Sequence, residues 1–267
     1  MTRRPRLVAT DLDGTLLRSD GTLSERTVRV LRALPEAGVQ VIAVTARPPR
    51  WLGPVRPLGH ATAICLNGAL VVDVASGGPL ELHALPDRVV RDVVAGLRAA
   101  LPAPSFAVET PRGMLAEHGF EGWQTDHLRR GARVEDLLDG SAGKLLGRCD
   151  GLEPAAFAAQ VRAIVGDRAQ VHDSGAVGLV EIAAAGVTKA AGLARWAASL
   201  GVPPEDVWAF GDMPNDLEML GWAGRGVAVA GAHPRVVAAA DAVCAAPDED
   251  GVAQELETLL ARPGGHG

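Results

Sequence analysis

Two short apolar runs near the N-terminus, residues 7–9 and 39–44, are separated by one helix-length segment, and each stops abruptly at polar residues. Runs this short, apolar at successive positions, read as strands buried on both faces. Between them, Ser24 is placed to cap a helix whose Val28, Leu31 and Leu34 share one side, with Gly38 as its stop. Strand, helix and strand joined by short connections make a parallel βαβ unit. A third apolar run, 63–66, ends in Asn67-Gly68, and the segments 69–74 and 80–82 flank Ser76-Gly77-Gly78 as a hairpin would. A parallel sheet needs helices over both faces and a large aliphatic core. The composition allows it: 48% of the 267 residues are apolar, with four Phe, five Trp and no Tyr.

From residue 85 the pattern changes. A helix is predicted over 87–101, with Val89, Val90, Val93, Val94 and Leu97 inward, and a second over 154–165. Strands are predicted at 106–109, 114–118, 144–148, 169–172 and 177–182. Strands outnumber helices here, as in an α+β module. After Gly186 the strand–helix alternation returns. Helices are predicted over 187–200, with Thr188 as cap, and over 214–220, 234–240 and 251–260; strands fit 207–210, 226–229 and 242–244. The expected organisation is one α/β domain in two pieces, 1–84 and 185–267, with an α+β module, 85–184, inserted between them.

Several classes of function are disfavoured. The net charge of −6 and the scarcity of aromatic side chains argue against nucleic acid. Cys65, Cys149 and Cys244 are far apart and lack metal-ligand spacing, so reduced thiols and a cytoplasmic setting are expected. No apolar stretch is long enough for a membrane span. Asp248, Glu249 and Asp250 read as a charge cluster at the start of the last helix.

Four predicted strands end in polar groups: Asp11 and Asp13, Thr45, Asn67, and Asp212. Ligands of open parallel sheets bind beyond the carboxyl ends of the strands, so these groups should meet in one crevice. Lys189, in the first turn of its helix, and Asn215 and Asp216, which open another, should join them. Residues i and i+2 share a side of a strand, so Asp11 and Asp13 can face the crevice together while Leu12 faces the core. Gly14 permits the tight turn that follows. Crowded carboxylates need a cation or a retained proton. Their hard oxygens suit magnesium, and Thr45, Lys189 and Asn215 can donate to phosphate oxygens. That donor set suits phosphoryl transfer through an attacking aspartate.

These residues carry a family resemblance. Asp11-Leu12-Asp13-Gly14-Thr15 resembles the first motif of the haloacid dehalogenase superfamily, Thr45 its second and Lys189 its third. Gly211-Asp212-Met213-Pro214-Asn215-Asp216 is similar to the fourth. Gly186-Val187-Thr188-Lys189 and the segments 211–220 and 240–252 resemble its Cof-type sugar-phosphatase branch. That branch carries its cap (a C2-type cap) between the second and third motifs. Thr45 and Lys189 are 144 positions apart here, against 34 from Asp11 to Thr45. Ala46 departs from the Thr-Gly-Arg of many relatives.

The resemblance implies a Rossmann-like parallel core with an inserted α+β cap that sets substrate specificity. It implies Asp11 as nucleophile and Mg²⁺ ligand, Asp13 as acid/base with its carbonyl on the metal, and Asp212 as a further metal ligand. Thr45, Lys189 and Asn215 would bind the phosphoryl group together with backbone of Gly14. Ala46, Arg47, Asn67 and Gly68 would lie near the substrate, and Asp216 would support Lys189. The expected activity is Mg²⁺-dependent hydrolysis of small phosphorylated metabolites, such as sugar phosphates, through an aspartyl phosphate. The alternatives are a phosphorylated cofactor or nucleotide as substrate, or a non-catalytic ligand-binding protein. The expected protein is a monomer or weak homodimer with no nucleic-acid or membrane partner.

Overall fold

The structure, a computed structural model, describes residues 4–59, 62–121, 128–173 and 178–261. The chain divides into two compact units. One joins Met1–Gly78 to Lys189–Gly267, and the other is Pro79–Thr188.

The first unit starts with β1 (Leu7–Thr10), α1 (Glu25–Ala33), β2 (Gln40–Val44), β3 (Thr62–Cys65) and β4 (Leu70–Asp73). Ser24 caps α1 by accepting the Thr27 amide. The α-helix stops before Pro35, which has no N–H to donate, and a 3₁₀ turn replaces the last predicted turn. The second unit opens with β5 (Pro79–Leu82) and contains α2 (Asp87–Ala100), β6 (Ser105–Thr110), β7 (Gly113–Glu117), β8 (Leu128–Gly131), β9 (Lys144–Arg148), α3 (Pro154–Val165), β10 (Ala169–Asp173) and β11 (Leu179–Ala184). The chain then returns to the first unit as α4 (Lys189–Ser199), β12 (Val207–Gly211), α5 (Leu217–Trp222), β13 (Arg225–Val229), α6 (Pro234–Ala239), β14 (Ala242–Cys244) and α7 (Gly251–Leu260).

The sheet of the first unit runs β14-β13-β12-β1-β2-β3-β4. From β14 through β3 every pairing is parallel, and β4 turns back antiparallel on β3. β1 therefore lies between β2 and β12, with the chain leaving toward β2 and returning at β12. This is the point where strand order reverses. All four β1 residues are buried. Leu7 and Ala9 pack with Ile42, Val44, Leu193, Val207 and Met219 on one face. α1 and α7 pack against each other and are tied by an Arg26–Glu257 fork at 2.9 and 2.5 Å.

The acidic group stands at the start of α7, as the sequence reading has it, and also makes contacts to a distant segment. Asp248 Oδ1 accepts the Ser19 amide (2.8 Å) and hydroxyl (3.1 Å), and Asp250 pairs with Arg18 at 3.0 Å. The segment just after Asp11–Leu17 is thereby fastened to the C-terminal part of the chain.

The second unit holds a six-stranded sheet in the order β10-β11-β9-β6-β7-β8. Only the β7–β8 pairing is parallel among these. α2 and α3 cover one face through Val90, Val94, Leu97, Phe157 and Val161 against Phe106, Leu145 and Ile182. Ala107, Met114, Leu146 and Leu179 form a separate cluster with Phe120, and a buried Lys144–Glu181 pair (2.7 Å) lies on the same side of β9 and β11 as Leu146 and Leu179. β8 was not foreseen, because its residues, Leu-Arg-Arg-Gly, carry no apolar run. The predicted strand 177–182 is shifted to β11; Val177 lies outside the described residues. His172 is buried with Nε2 3.0 Å from the Val187 carbonyl, and Arg148 pairs with Asp150 at 3.0 Å. His118 uses its amide to continue the strand pairing with Gly131.

Candidate active site

Four neighbouring strands, β12, β1, β2 and β3, all point their carboxyl ends the same way. The next residues are Asp212, Asp11, Thr45 and the Leu66-Asn67-Gly68 turn. The Asp11 amide still donates to Phe210 O in β12 (3.0 Å), so Asp11 leaves the sheet with its backbone fixed. The chain then wraps around one carbonyl: the amides of Thr15, Leu16 and Leu17 donate to Leu12 O at 3.4, 3.1 and 2.8 Å. Leu12 is fully buried and anchors the turn.

Gly14 is required twice over. Its φ of +78° lies in the left-handed region, and a Cβ there would sit 2.4 Å from Asp212 Oδ2. An alanine would cost about 1–2 kcal/mol of backbone strain. It would also push the Asp212 carboxylate from the place where Thr15 Oγ1 donates to its Oδ1 at 2.8 Å. Gly14→Ala is expected to raise the Mg²⁺ concentration needed for half-maximal activity at least tenfold while lowering the melting temperature by only a few degrees. A metal titration beside a melting curve checks both; an unchanged Mg²⁺ requirement would count against the assignment of Asp212.

Lys189, the first residue of α4, is 3% exposed, and its Nζ donates to Asp11 Oδ1 at 2.6 Å and to Asp216 Oδ1 at 2.7 Å. Asp216 is fully buried, and its Oδ2 accepts the amides of Asp212 (3.1 Å) and Met213 (3.0 Å). Asp216 therefore fixes both Lys189 and the backbone that carries Asp212. Gly211 leaves room for it, since a Cβ there would lie 2.6 Å from Asp216 Cβ.

The other predicted residues are placed as follows. Thr45 is buried; its hydroxyl accepts the Arg47 amide (3.1 Å) and its carbonyl accepts the Asn67 amide (3.0 Å). Asn67 is buried in the left-handed conformation (φ 56°, ψ 31°), and Asn215 Nδ2 reaches its Oδ1 at 3.5 Å. Gly68 accepts from Arg195 (2.9 Å), and α4 approaches it so closely that a Cβ on Gly192 would lie 2.8 Å from Gly68 Cα. Ala46 is half-buried between Thr45 and Arg47. Arg47 was expected beside the substrate. Its guanidinium instead forks onto Asp13, Nε to Oδ2 at 2.7 Å and Nη2 to Oδ1 at 2.5 Å.

Among the described residues, the acidic side chains that converge are Asp11, Asp212 and Asp216, whose ligand atoms lie within 4.8 Å of one another. The Asp13 carboxylate is not in this trio. Both oxygens of Asp216 already have donors, so Asp11 and Asp212 are the members suited to a cation. The Thr15 contact to Asp212 and the Arg47–Asp13 fork had no sequence signal beyond the presence of the residues.

Burial pushes the Asp11 carboxyl up to about 8, and the charges of Asp216 and Asp212 add to this against the opposing pull of Lys189. Asp212 is raised by burial, with Asp216 adding. Burial works to lower Lys189, but Asp11 and Asp216 outweigh it and the ammonium is held charged. In metal-free protein, Asp11 binds its proton more tightly folded than unfolded. That contribution is fully present below the ordinary value of 3.8 and is lost as pH rises through about 8. A cation must displace that proton. Mg²⁺ is therefore expected to raise the melting temperature more at pH 8 than at pH 6. Equal increments in thermal scans at the two pH values would contradict it.

The haloacid dehalogenase-like hydrolase family profile matches residues 8–256. The chain belongs to that family. The match spans both pieces of the first unit and the whole insertion. The chain is 30% identical to the 5-amino-6-(5-phospho-D-ribitylamino)uracil phosphatase YitU of Bacillus subtilis, over 98% of this chain and 100% of the relative. It is 31% identical to the pyridoxal phosphate phosphatase YbhA of Escherichia coli, over 96% and 98%. A solved haloacid dehalogenase-like hydrolase from Bacteroides thetaiotaomicron shares the fold, with a TM-score of 0.82 at 24% identity, covering 96% of this chain and 100% of that one. Among the described residues, no helix of this hydrolase is long and apolar enough to cross a membrane.

Proposed function

We propose that this hydrolase is a Mg²⁺-dependent phosphomonoesterase for small phosphorylated metabolites. The observation that carries the reading is Lys189 bridging Asp11 and Asp216 beyond the carboxyl ends of the central strands. The substrates named for these relatives, a phosphoribityl uracil and pyridoxal phosphate, support small phosphate esters as the class.

The carboxylate oxygens of Asp11 and Asp212 fit a hard divalent cation, and Gly14 leaves the space beside Asp212 open. The Asp13 carbonyl is the further ligand that the family resemblance implies. Bound Mg²⁺ would offset the charge of the carboxylates and of the phosphoryl oxygens. The chain's own residues do the rest. Asp11 attacks phosphorus and the ester P–O bond breaks, while the Asp13 carboxyl gives its proton to the leaving oxygen. Asp13 then takes a proton from water. That water attacks phosphorus, the bond to Asp11 breaks, and inorganic phosphate departs. Lys189 holds Asp11 in place and, with Thr45 and Asn215, offers donors to the phosphoryl oxygens. Asp216 keeps Lys189 charged and oriented.

These groups recognise only phosphate and metal, which every phosphate ester provides. Selectivity is therefore assigned to the inserted unit, Pro79–Thr188, as a cap. Phosphate release from a panel of metabolite phosphates, with Mg²⁺ or with excess chelator, tests the reading. Release only with Mg²⁺ or a close hard cation is expected, and Ca²⁺, which takes more ligands at longer distances, is expected to inhibit. Full activity in chelator would overturn the metal assignment; no release from any ester would leave a ligand-binding protein on the same fold.

A further inference from the structure

The donors around the three converging carboxylates fill particular oxygens. Asp216 has both taken, Oδ1 by Lys189 Nζ (2.7 Å) and Oδ2 by the amides of Asp212 and Met213 (3.1 and 3.0 Å). Asp11 has Oδ1 taken, by Lys189 Nζ at 2.6 Å. Asp212 has Oδ1 taken, by Thr15 Oγ1 at 2.8 Å. Among the described residues, no donor takes Oδ2 of Asp11 or Oδ2 of Asp212. A cation would therefore meet one oxygen from each of these two side chains.

The Thr15 hydroxyl is built to stay where it is. Thr15 is 1% exposed, and its amide belongs to the turn wrapped around the Leu12 carbonyl. Asp212 is held at both ends of its backbone: its amide donates to Asp216 Oδ2, and its carbonyl accepts the His233 amide at 2.8 Å. Gly14 lies on the Oδ2 side, where a side chain would block that oxygen. Mg²⁺ demands near-octahedral geometry, keeps several waters and is bound through one or two carboxylates. Ca²⁺ takes more oxygens at longer distances and accepts both oxygens of one carboxylate. The two ions carry the same charge, so the number of oxygens offered is what can tell them apart. We propose that Thr15 is a positioning residue for metal selectivity: by holding Oδ1 of Asp212 it makes that carboxylate a one-oxygen ligand and favours Mg²⁺ over Ca²⁺. The proposal rests on the Mg²⁺-dependent phosphatase reading and assigns the discrimination to a hydroxyl that is not itself a ligand. Lys189 covers Asp11 Oδ1 in the same way, but its charge serves catalysis as well, so the effect is separable only at Thr15.

The test measures both metals by binding as well as by turnover. Purified full-length wild type, T15V and T15S are titrated calorimetrically with Mg²⁺ and, separately, with Ca²⁺. Ca²⁺ inhibition of Mg²⁺-supported p-nitrophenyl phosphate hydrolysis is measured beside it. Valine keeps the shape of threonine and deletes the donor; serine keeps the donor. Losing a partner that orients a metal ligand costs about 10–100-fold in affinity. T15V is expected to bind Mg²⁺ at least about tenfold more weakly. Its Ca²⁺ affinity is expected to fall by no more than about twofold, because the released Oδ1 becomes a further ligand. Ca²⁺ should then inhibit T15V at a lower concentration, relative to Mg²⁺, than it inhibits wild type. T15S is expected to keep the wild-type ratio of the two dissociation constants. Equal losses for both metals, no loss for either, or a T15S ratio shifted as far as that of T15V would overturn the proposal, as would a wild type that binds the two ions equally. If T15V fails to fold, T15A decides by the same ratio. A wild type that binds Mg²⁺ but releases no phosphate would instead remove the phosphatase reading, and the calorimetric ratios would still decide on Thr15.

Discussion

Asp11→Asn is expected to abolish turnover while leaving the protein folded. The amide is nearly the same size as the carboxylate, so the buried site is not opened. It cannot attack phosphorus, and no acyl phosphate can form. Because the nucleophilic route is lost, kcat should fall by at least about four orders of magnitude, or roughly 5.5 kcal/mol of barrier. The fold should not suffer in proportion. Asp11 is one of three converging carboxylates, and burial already pushes it up to about 8. An uncharged side chain removes part of that crowding, so metal-free Asp11→Asn should melt at or above the wild-type temperature at pH 8. Single-turnover assays with a radiolabelled ester would show no phosphate retained on the variant and a phosphorylated Asp11 peptide in wild type. Near-normal turnover, or a label on another residue, would remove Asp11 as the nucleophile.

Much of this site was legible before any coordinates because backbone order alone produces it. Strands that alternate with helices must lie parallel, so polar residues at their carboxyl ends must share one edge of the sheet. Asp11, Thr45, Asn67 and Asp212 follow from that rule without knowledge of a side-chain contact. What escaped depends on rotamers and on packing between distant segments. Thr15 reads as part of a turn, yet its hydroxyl reaches Asp212, 197 residues away. Arg47 precedes two prolines and could face solvent or substrate; its fork onto Asp13 requires the β2-to-3₁₀ connection to fold back toward the β1 loop. Asp248 and Asp250 resembled a helix-end cluster because the sequence shows their neighbours and not Ser19 and Arg18, which they hold. In the insertion, β8 was missed for a different reason. Periodicity detects apolar faces, and Leu-Arg-Arg-Gly is strand only because it lies beside β7.

Lys189→Met is expected to cost both catalysis and stability, and the pH dependence separates the two causes. Methionine keeps the apolar stem of lysine and deletes the ammonium that lies 2.6 Å from Asp11 and 2.7 Å from Asp216. Removing one partner of a buried ion pair leaves an uncompensated charge, at a cost of about 3–5 kcal/mol. The loss is not uniform in pH. Without Lys189 the opposing pull on Asp11 is gone, so its carboxyl rises further above the ordinary 3.8. A group raised in the folded state stabilises fully below its unfolded value, and that stabilisation is lost as pH climbs through the folded value. The deficit of Lys189→Met against wild type should thus be smallest near pH 5, where Asp11 keeps its proton in both proteins, and grow as pH rises above about 8, where wild type gives that proton up before the variant does. Urea unfolding in chelator near pH 5 and near pH 9.5 measures it, and added Mg²⁺ should recover part of the alkaline deficit by supplying positive charge. Activity should not return with stability, because the donor to the phosphoryl group is still missing. Lys189→Arg should rescue neither, since a planar guanidinium does not fit a pocket that leaves lysine 3% exposed. A deficit independent of pH would mean that Lys189 stabilises through its alkyl packing alone, and its electrostatic role in the site would have to be abandoned.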